Sequence, residues 1–175
     1  EATFNAGVIG TSFNGIPFFS ADTSSIYTTD VSGTDDTATG NSAYGYQAMD
    51  AITTGDSNSA FGHDALGANT TGANNTAVGK SAMLLNTTGA ENVALGFAAL
   101  DANTTGNQNV ALGRSALTAN TTASDNIAVG YGAMDSNTTG TRNIAIGSAA
   151  YDHSDTENDN MAIGYNAMTE NTAGG

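Results

Sequence analysis

The sequence predicts an all-β fold: a parallel β-solenoid, or β-roll, of eight 17-residue coils. Three observations predict it. Sliding the chain against itself by 17 residues gives a register that holds from residue 41 to the end, as in NVALGFAALDANTTGNQ (92–108) followed at once by NVALGRSALTANTTASD (109–125). The same few positions keep their residue in every copy. Finally, a short fixed period without insertions means that each copy is one unit stacked on the next, because a single copy cannot bury its own apolar face.

The copies begin at Asn41, Asn58, Asn75, Asn92, Asn109, Asn126, Asn143 and Asn160. Position 1 is always Asn, position 3 always Ala, position 5 always Gly and position 8 always Ala. Position 4 is always large and apolar, from Tyr44 and Phe61 to Ile146 and Ile163, and positions 12 to 15 read NTTG or close to it in copies two to six. Seventeen residues are too few for a helix pair. A coil of two short strands and two turns fits, and at ~4.8 Å per coil eight coils stand roughly 38 Å tall.

Within a copy, positions 1 to 5 read as a strand in which residues 2 and 4 share one face and Ala at 3 points to the other. Both faces are apolar, so one is expected to fill the roll and the other to meet a neighbouring chain. Gly at position 5 and the NTTG block supply the turns. The second half of the copy, G-x-x-A-φ-x-x-N, reads either as the second strand or as a short helical turn stopped by Asn and Gly.

Residues 1–40 lack the period. Residues 1–28 hold four of the six Phe and the only Pro, and read as a cap over the first coil or as a segment that joins another molecule's free end. Residues 29–40 read as a polar linker, and 41–175 as the solenoid. The chain begins at Glu1 with no basic segment before it, which reads as a processed or trimmed product.

Composition narrows the function classes. Leu, Ile, Val and Phe supply 27 of 175 residues, a level at which charged chains are usually disordered, so the repeat, not bulk hydrophobicity, argues for a fold. Seventeen acids against Lys80, Arg114 and Arg142 give a formal charge of −14. Such a chain cannot neutralise a row of phosphates, so nucleic acid is not an expected partner. No run of 18 apolar residues exists, so membrane insertion is not expected. There is no Cys, which leaves the redox compartment open.

The recurring N-x-A-[VIL]-G-x-x-A-[LM]-x-x-N-T-T-G, as in NTAVGKSAMLLNTTG (75–89) and NIAVGYGAMDSNTTG (126–140), resembles the Gly- and Asn-rich repeats of phage tail fibres and phage-derived bacterial fibres. More distantly it is similar to the head repeats of trimeric autotransporter adhesins, although those heads use a shorter repeat. The resemblance covers residues 41–175. It implies a homotrimer whose small residues crowd the threefold axis. Ala43, Ala60, Ala77, Ala94, Ala111, Ala128, Ala145 and Ala162 are then the interface candidates, and the position-4 residues are core. It also implies an extracellular, cell-surface or virion location and a cell-surface or glycan receptor.

Candidate chemistry is sparse. His63 and His153 are the only histidines, and nothing in the sequence orients either ring toward a Ser nucleophile, so no enzyme is expected. Copy seven replaces the NTTG turn with Asp152, Asp155, Glu157 and Asp159, alternating carboxylates that could hold Ca²⁺ or simply form a solvated acidic turn. No other cofactor is expected. Thr at positions 13 and 14 makes two files, so an ice-binding Thr ladder is a further alternative. The Asn file at position 1 reads as a structural ladder of stacked amides. Six N-x-T sequons, at Asn69, Asn74, Asn86, Asn103, Asn120 and Asn137, fall out of the repeat and carry no default meaning in a bacterial or viral product.

The functional expectation is a non-enzymatic structural or adhesive fibre module that supplies rigid length and attachment. The alternative is a secreted subunit that polymerises head to tail into a filament through residues 1–28.

Overall fold

The computed structural model describes residues 37–153 and 156–169 throughout and, before them, the backbone of three short strands. The placement of most of 1–36, and with it the cap, joining and linker assignments, lies outside the described residues. Strands β1 (Thr11–Phe13) and β2 (Ile16–Phe18) pair antiparallel. Strand β3 (Ile26–Tyr27) lies parallel beside the first coil, with Ile26 opposite Ser42 and Tyr27 opposite Ala43.

Each repeat then contributes one three-residue strand: β4 (Ser42–Tyr44), β5 (Ser59–Phe61), β6 (Thr76–Val78), β7 (Val93–Leu95), β8 (Val110–Leu112), β9 (Ile127–Val129), β10 (Ile144–Ile146) and β11 (Met161–Ile163). They stack in chain order into a nine-stranded parallel sheet running from β3 to β11. Pairing is offset by one repeat, Ala94 opposite Ala111 and Ala111 opposite Ala128. The fold is therefore a parallel β-solenoid with a 17-residue coil.

The coil holds one strand, not two, and the described residues include no helical turn either. The reason is in the backbone. Positions 7 and 9 both take left-handed φ, as at Ser81 (58°) and Met83 (52°), Ala98 (52°) and Leu100 (55°), or Ser115 (57°) and Leu117 (54°). A chain that alternates hands in this way can be neither a strand nor a right-handed helix. Instead it closes two successive reverse turns. The Ala99 N–H donates to the Gly96 carbonyl at 3.4 Å, and the Asn103 N–H donates to the Leu100 carbonyl at 3.3 Å. The positive φ at position 7, third residue of the first turn, is what a type II turn requires.

Tight turning leaves a narrow interior, and the interior selects the residues. Five files fill it: Asn at position 1, Ala at 3, Ala at 8, one large side chain at 9 and Asn at 12. Position 9 supplies Met49, Leu66, Met83, Leu100, Leu117, Met134 and Tyr151, each essentially sealed from solvent. The Ala file expected at an interface with another chain, Ala43 through Ala162, is part of this core instead, at 0–4% exposure within one chain. Position 4, expected as core, points outward, with Tyr44 54% and Ile163 63% exposed. Size explains the inversion: one large residue per coil already fills the cross-section, and only a methyl fits beside it.

Glycine at position 5 is dictated by the next coil. At Gly96 (φ 139°) an added Cβ would stand 2.5 Å from the Gly113 carbonyl oxygen directly above it.

Candidate interaction face

The Asn file at position 1 is buried and bonded from coil to coil. Asn58 Oδ1 accepts from the Asn75 backbone N–H at 2.9 Å, and Asn75 Oδ1 accepts from the Asn92 N–H at 3.0 Å. From Asn41 to Asn143 each amide nitrogen turns to a carbonyl of its own coil, as Asn75 Nδ2 does to Gly89 O at 2.8 Å, whereas Asn160 Nδ2 turns back to Tyr151 OH and Asn158 O. A second ladder, which reading NTTG only as a turn overlooks, runs through position 12. Asn86 Nδ2 donates to Asn69 Oδ1, Asn103 to Asn86, Asn120 to Asn103 and Asn137 to Asn120, at 2.8–3.2 Å. The recurrence of Asn at position 12 in copies two to six was its signal.

This ladder has two different ends. In the first coil position 12 is Ile52, fully buried, and Asn69 Nδ2 turns to Gly72 O. At the other end Asn137 Oδ1 is the one buried side-chain polar atom without a partner among the described residues, where copy seven has Ser154 in place of Asn. Five of the six sequons lie on the position-12 ladder and are sealed from solvent, whereas Asn74, at position 17, is exposed.

The Thr files divide. Position-13 hydroxyls donate to the position-13 carbonyl of the next coil, Thr53 to Thr70 O at 2.9 Å and Thr87 to Thr104 O at 3.0 Å. Only the position-14 threonines are exposed.

The charged side chains form local pairs. Arg142 grips Asp159 through two bonds, Nε to Oδ1 at 2.6 Å and NH2 to Oδ2 at 2.9 Å, which holds the Asp159 carboxyl below its ordinary range and raises the guanidinium. His153 Nδ1 lies 2.7 Å from Asp152 Oδ1, and His63 Nδ1 lies 2.6 Å from Asp64 Oδ2. Glu157 Oε2 accepts from the Thr156 N–H at 3.3 Å, and Asp155 lies outside the described residues. Among the described residues no three metal-ligating side chains gather. Desolvation raises the carboxyls of Asp50 and Asp101, both at position 10.

What remains is the outer side of the sheet. Positions 2 and 4 of β4–β11 point outward, and position 6 follows along one edge. Tyr44 stacks on Phe61 with ring centres 6.4 Å apart, and on the position-6 edge Tyr46 lies 5.2 Å from His63. Arg114 sits between two rings of that edge, 5.5 Å from the centre of Phe97 and 5.8 Å from that of Tyr131. None of the 17 acids occupies positions 2, 4 or 6, and two of the three bases, Lys80 and Arg114, do. Position 4 carries an exposed or partly exposed apolar side chain at every rung from Tyr44 to Ile163, and a contiguous apolar strip of this kind marks an interaction surface. Set against family models, curated proteins and solved structures, the chain matches none.

Proposed function

We propose that the chain is a non-enzymatic structural or adhesive fibre module, extracellular on a cell surface or virion, that supplies rigid length and works as a homotrimer. The observation that carries this reading is the continuous bonding between coils: a backbone ladder from β3 to β11 with two amide ladders running inside it. A rod so bonded resists bending, and its acids, absent from positions 2, 4 and 6 of the repeats, keep rods from clumping. The pairing of β3 with β4 supports a capping role for the segment before the first coil over the head-to-tail alternative. With half of its Thr hydroxyls bonded to backbone, the coil supports ice binding poorly.

Negative-stain images and small-angle scattering test the reading. A straight particle at least roughly 38 Å long is expected. Light scattering after gel filtration is expected to give three times the 17.4 kDa chain mass. A compact sphere or a flexible coil would overturn it.

A further inference from the structure

We infer that the outward side of β4–β11 is an interface with a second copy of this chain, lying parallel and in register. The inference rests on the self-associating fibre reading and adds the surface, the orientation and the register.

Size comes first. Eight rungs at ~4.8 Å, bounded by position 17 before each strand and position 6 after it, make a strip of roughly 38 by 15–20 Å. That is roughly 600–750 Å² per chain, shared in a homotrimer between its two neighbours, against the ~800 Å² per side of a stable interface. The rung spacing chooses the occupant. Side chains repeating every ~4.8 Å along the whole strip interdigitate throughout only with a surface of the same repeat, and a second copy carries it.

Two orientations bring the faces together. With the symmetry axis along the rod, each rung meets its own rung, and the position-17 edge of one copy meets the position-6 edge of the other. With the axis along the strands, the first rung meets the eighth, and like edges meet. Position 2 does not separate these cases. It is polar in the first three rungs, Ser42, Ser59 and Thr76, and apolar in the last five, from Val93 to Met161. Parallel packing sets position 2 against position 4 of the partner's same rung, so Ser42 meets Tyr44, Ser59 meets Phe61 and Thr76 meets Val78. Antiparallel packing sets position 2 against position 2, so Ser42 meets Met161 and Ser59 meets Ile144, and either way the hydroxyls of the first rungs face larger, mostly apolar side chains.

The charged edges do separate them. Lys80 follows β6 and Arg114 follows β8 on one edge, while Glu91 precedes β7 and Asp125 precedes β9 on the other. In the parallel arrangement Arg114 faces a rung flanked by Glu91 on one side and Asp125 on the other, and Lys80 lies one rung from Glu91. In the antiparallel arrangement Lys80 and Arg114 of both copies share one edge, Glu91 and Asp125 share the other with the Arg142–Asp159 pair of each chain, and neither Lys80 nor Arg114 meets an acid.

The chain has no Cys, so single Cys substitutions can be spin-labelled without further changes. Thr71→Cys, Thr105→Cys and Thr139→Cys place labels on the exposed position-14 file in rungs two, four and six, away from the face. The inter-copy distance by pulsed electron resonance is expected to be the same in all three. A distance that depends on rung, shortest near the middle, would overturn the parallel register. Leu112→Asp, whose outward side chain the coil accommodates, is expected to weaken association about a hundredfold or more while the circular dichroism stays that of the parent. Unchanged association would overturn the choice of face. A parent chain that is straight and rod-like in scattering yet monomeric at high concentration would overturn the interface, and the homotrimer with it, and leave the rigid-rod reading standing. A parent chain that is not rod-like would instead remove the fibre reading.

Discussion

Gly96→Ala and Gly164→Ala form a matched pair that measures how closely the coils approach. Both residues sit at position 5 with φ near 130–140°, 139° at Gly96 and 128° at Gly164, so each variant carries a backbone strain of ~1–3 kcal/mol. They differ in what lies above. At Gly96 the new methyl would stand 2.5 Å from Gly113 O and 2.6 Å from its carbonyl carbon, whereas at Gly164, in the last coil, the nearest atom is Ala167 Cβ at 3.9 Å. Reaching ordinary contact at 3.4 Å requires the coils to part by about 0.9 Å. The Gly113 N–H to Leu95 O bond, now 2.8 Å, then leaves bonding range, and the Ser115 N–H to Phe97 O bond at 2.9 Å goes with it. Two backbone bonds at about 1 kcal/mol each put Gly96→Ala at least ~2 kcal/mol below Gly164→Ala. Urea unfolding followed by circular dichroism gives the totals. The last coil can open without the rest, so exchange of the amide at position 164, bonded to Ile146 O at 2.8 Å, reports its local cost. Equal losses within about 0.5 kcal/mol, the scatter of independent sites, would refute close coil packing at position 5.

Three further substitutions test the interior, the turn and the titrating surface. Asn75→Ala strips the only acceptor from the buried Asn92 N–H, while Gly89 O keeps its bond from Asn86; a loss of ~1–3 kcal/mol in urea unfolding is expected, and none would mean that the ladder contributes nothing. Ser115→Gly relieves a left-handed residue at a position where copy six already has Gly132, and the expected gain of about 1 kcal/mol raises Tm by ~2–4 °C; a lower Tm would refute strain at position 7. Asp101→Asn tests burial of a carboxyl. Desolvation raises Asp101 above 3.8 against the pull of the Ala102 N–H, so its contribution to stability is complete below the unfolded value and is lost as pH rises through the raised one. The Asn variant is therefore expected to melt higher than the parent at pH 7 and no higher at pH 3; an equal gain at both would refute the assignment.

The solenoid was legible because the repeat constrains the backbone more than the side chains do. Any stack of identical coils must pair lengthwise, and Gly at position 5 and Asn at position 1 recur without exception. The turn geometry was not legible. Met83, Ala98, Leu100 and Leu117 are ordinary residues that adopt left-handed φ because bonds to the coils above and below over-determine them, and local propensity carries no trace of that. Met83 N–H donates to Ala99 O at 3.0 Å and Leu100 N–H to Ala116 O at 2.9 Å, so each strained residue is held by its neighbour's copy of the same strain. A single coil could not keep this conformation.

Sidedness is the more instructive loss, because alternation says that residues 3 and 4 face opposite ways without saying which way is in. In a thick roll the larger residue would go inside and the Ala file would be free to approach another chain. The deciding quantity is the width of the coil. Two consecutive reverse turns at positions 5–8 and 9–12 bring the returning chain against the strand, and the gap accepts Ala94 and Ala99 with Leu100 beside them, all fully buried. Leu95 is then excluded by volume, and its 49% exposure is a consequence of the turn, not a defect of packing. The same geometry that fills the interior with methyls thus sets a row of Val, Leu and Ile on the surface of an acidic chain. A surface of that kind is retained in a folded protein when something covers it, so the turn at positions 7 and 9 shapes the binding face as much as the residues on that face do.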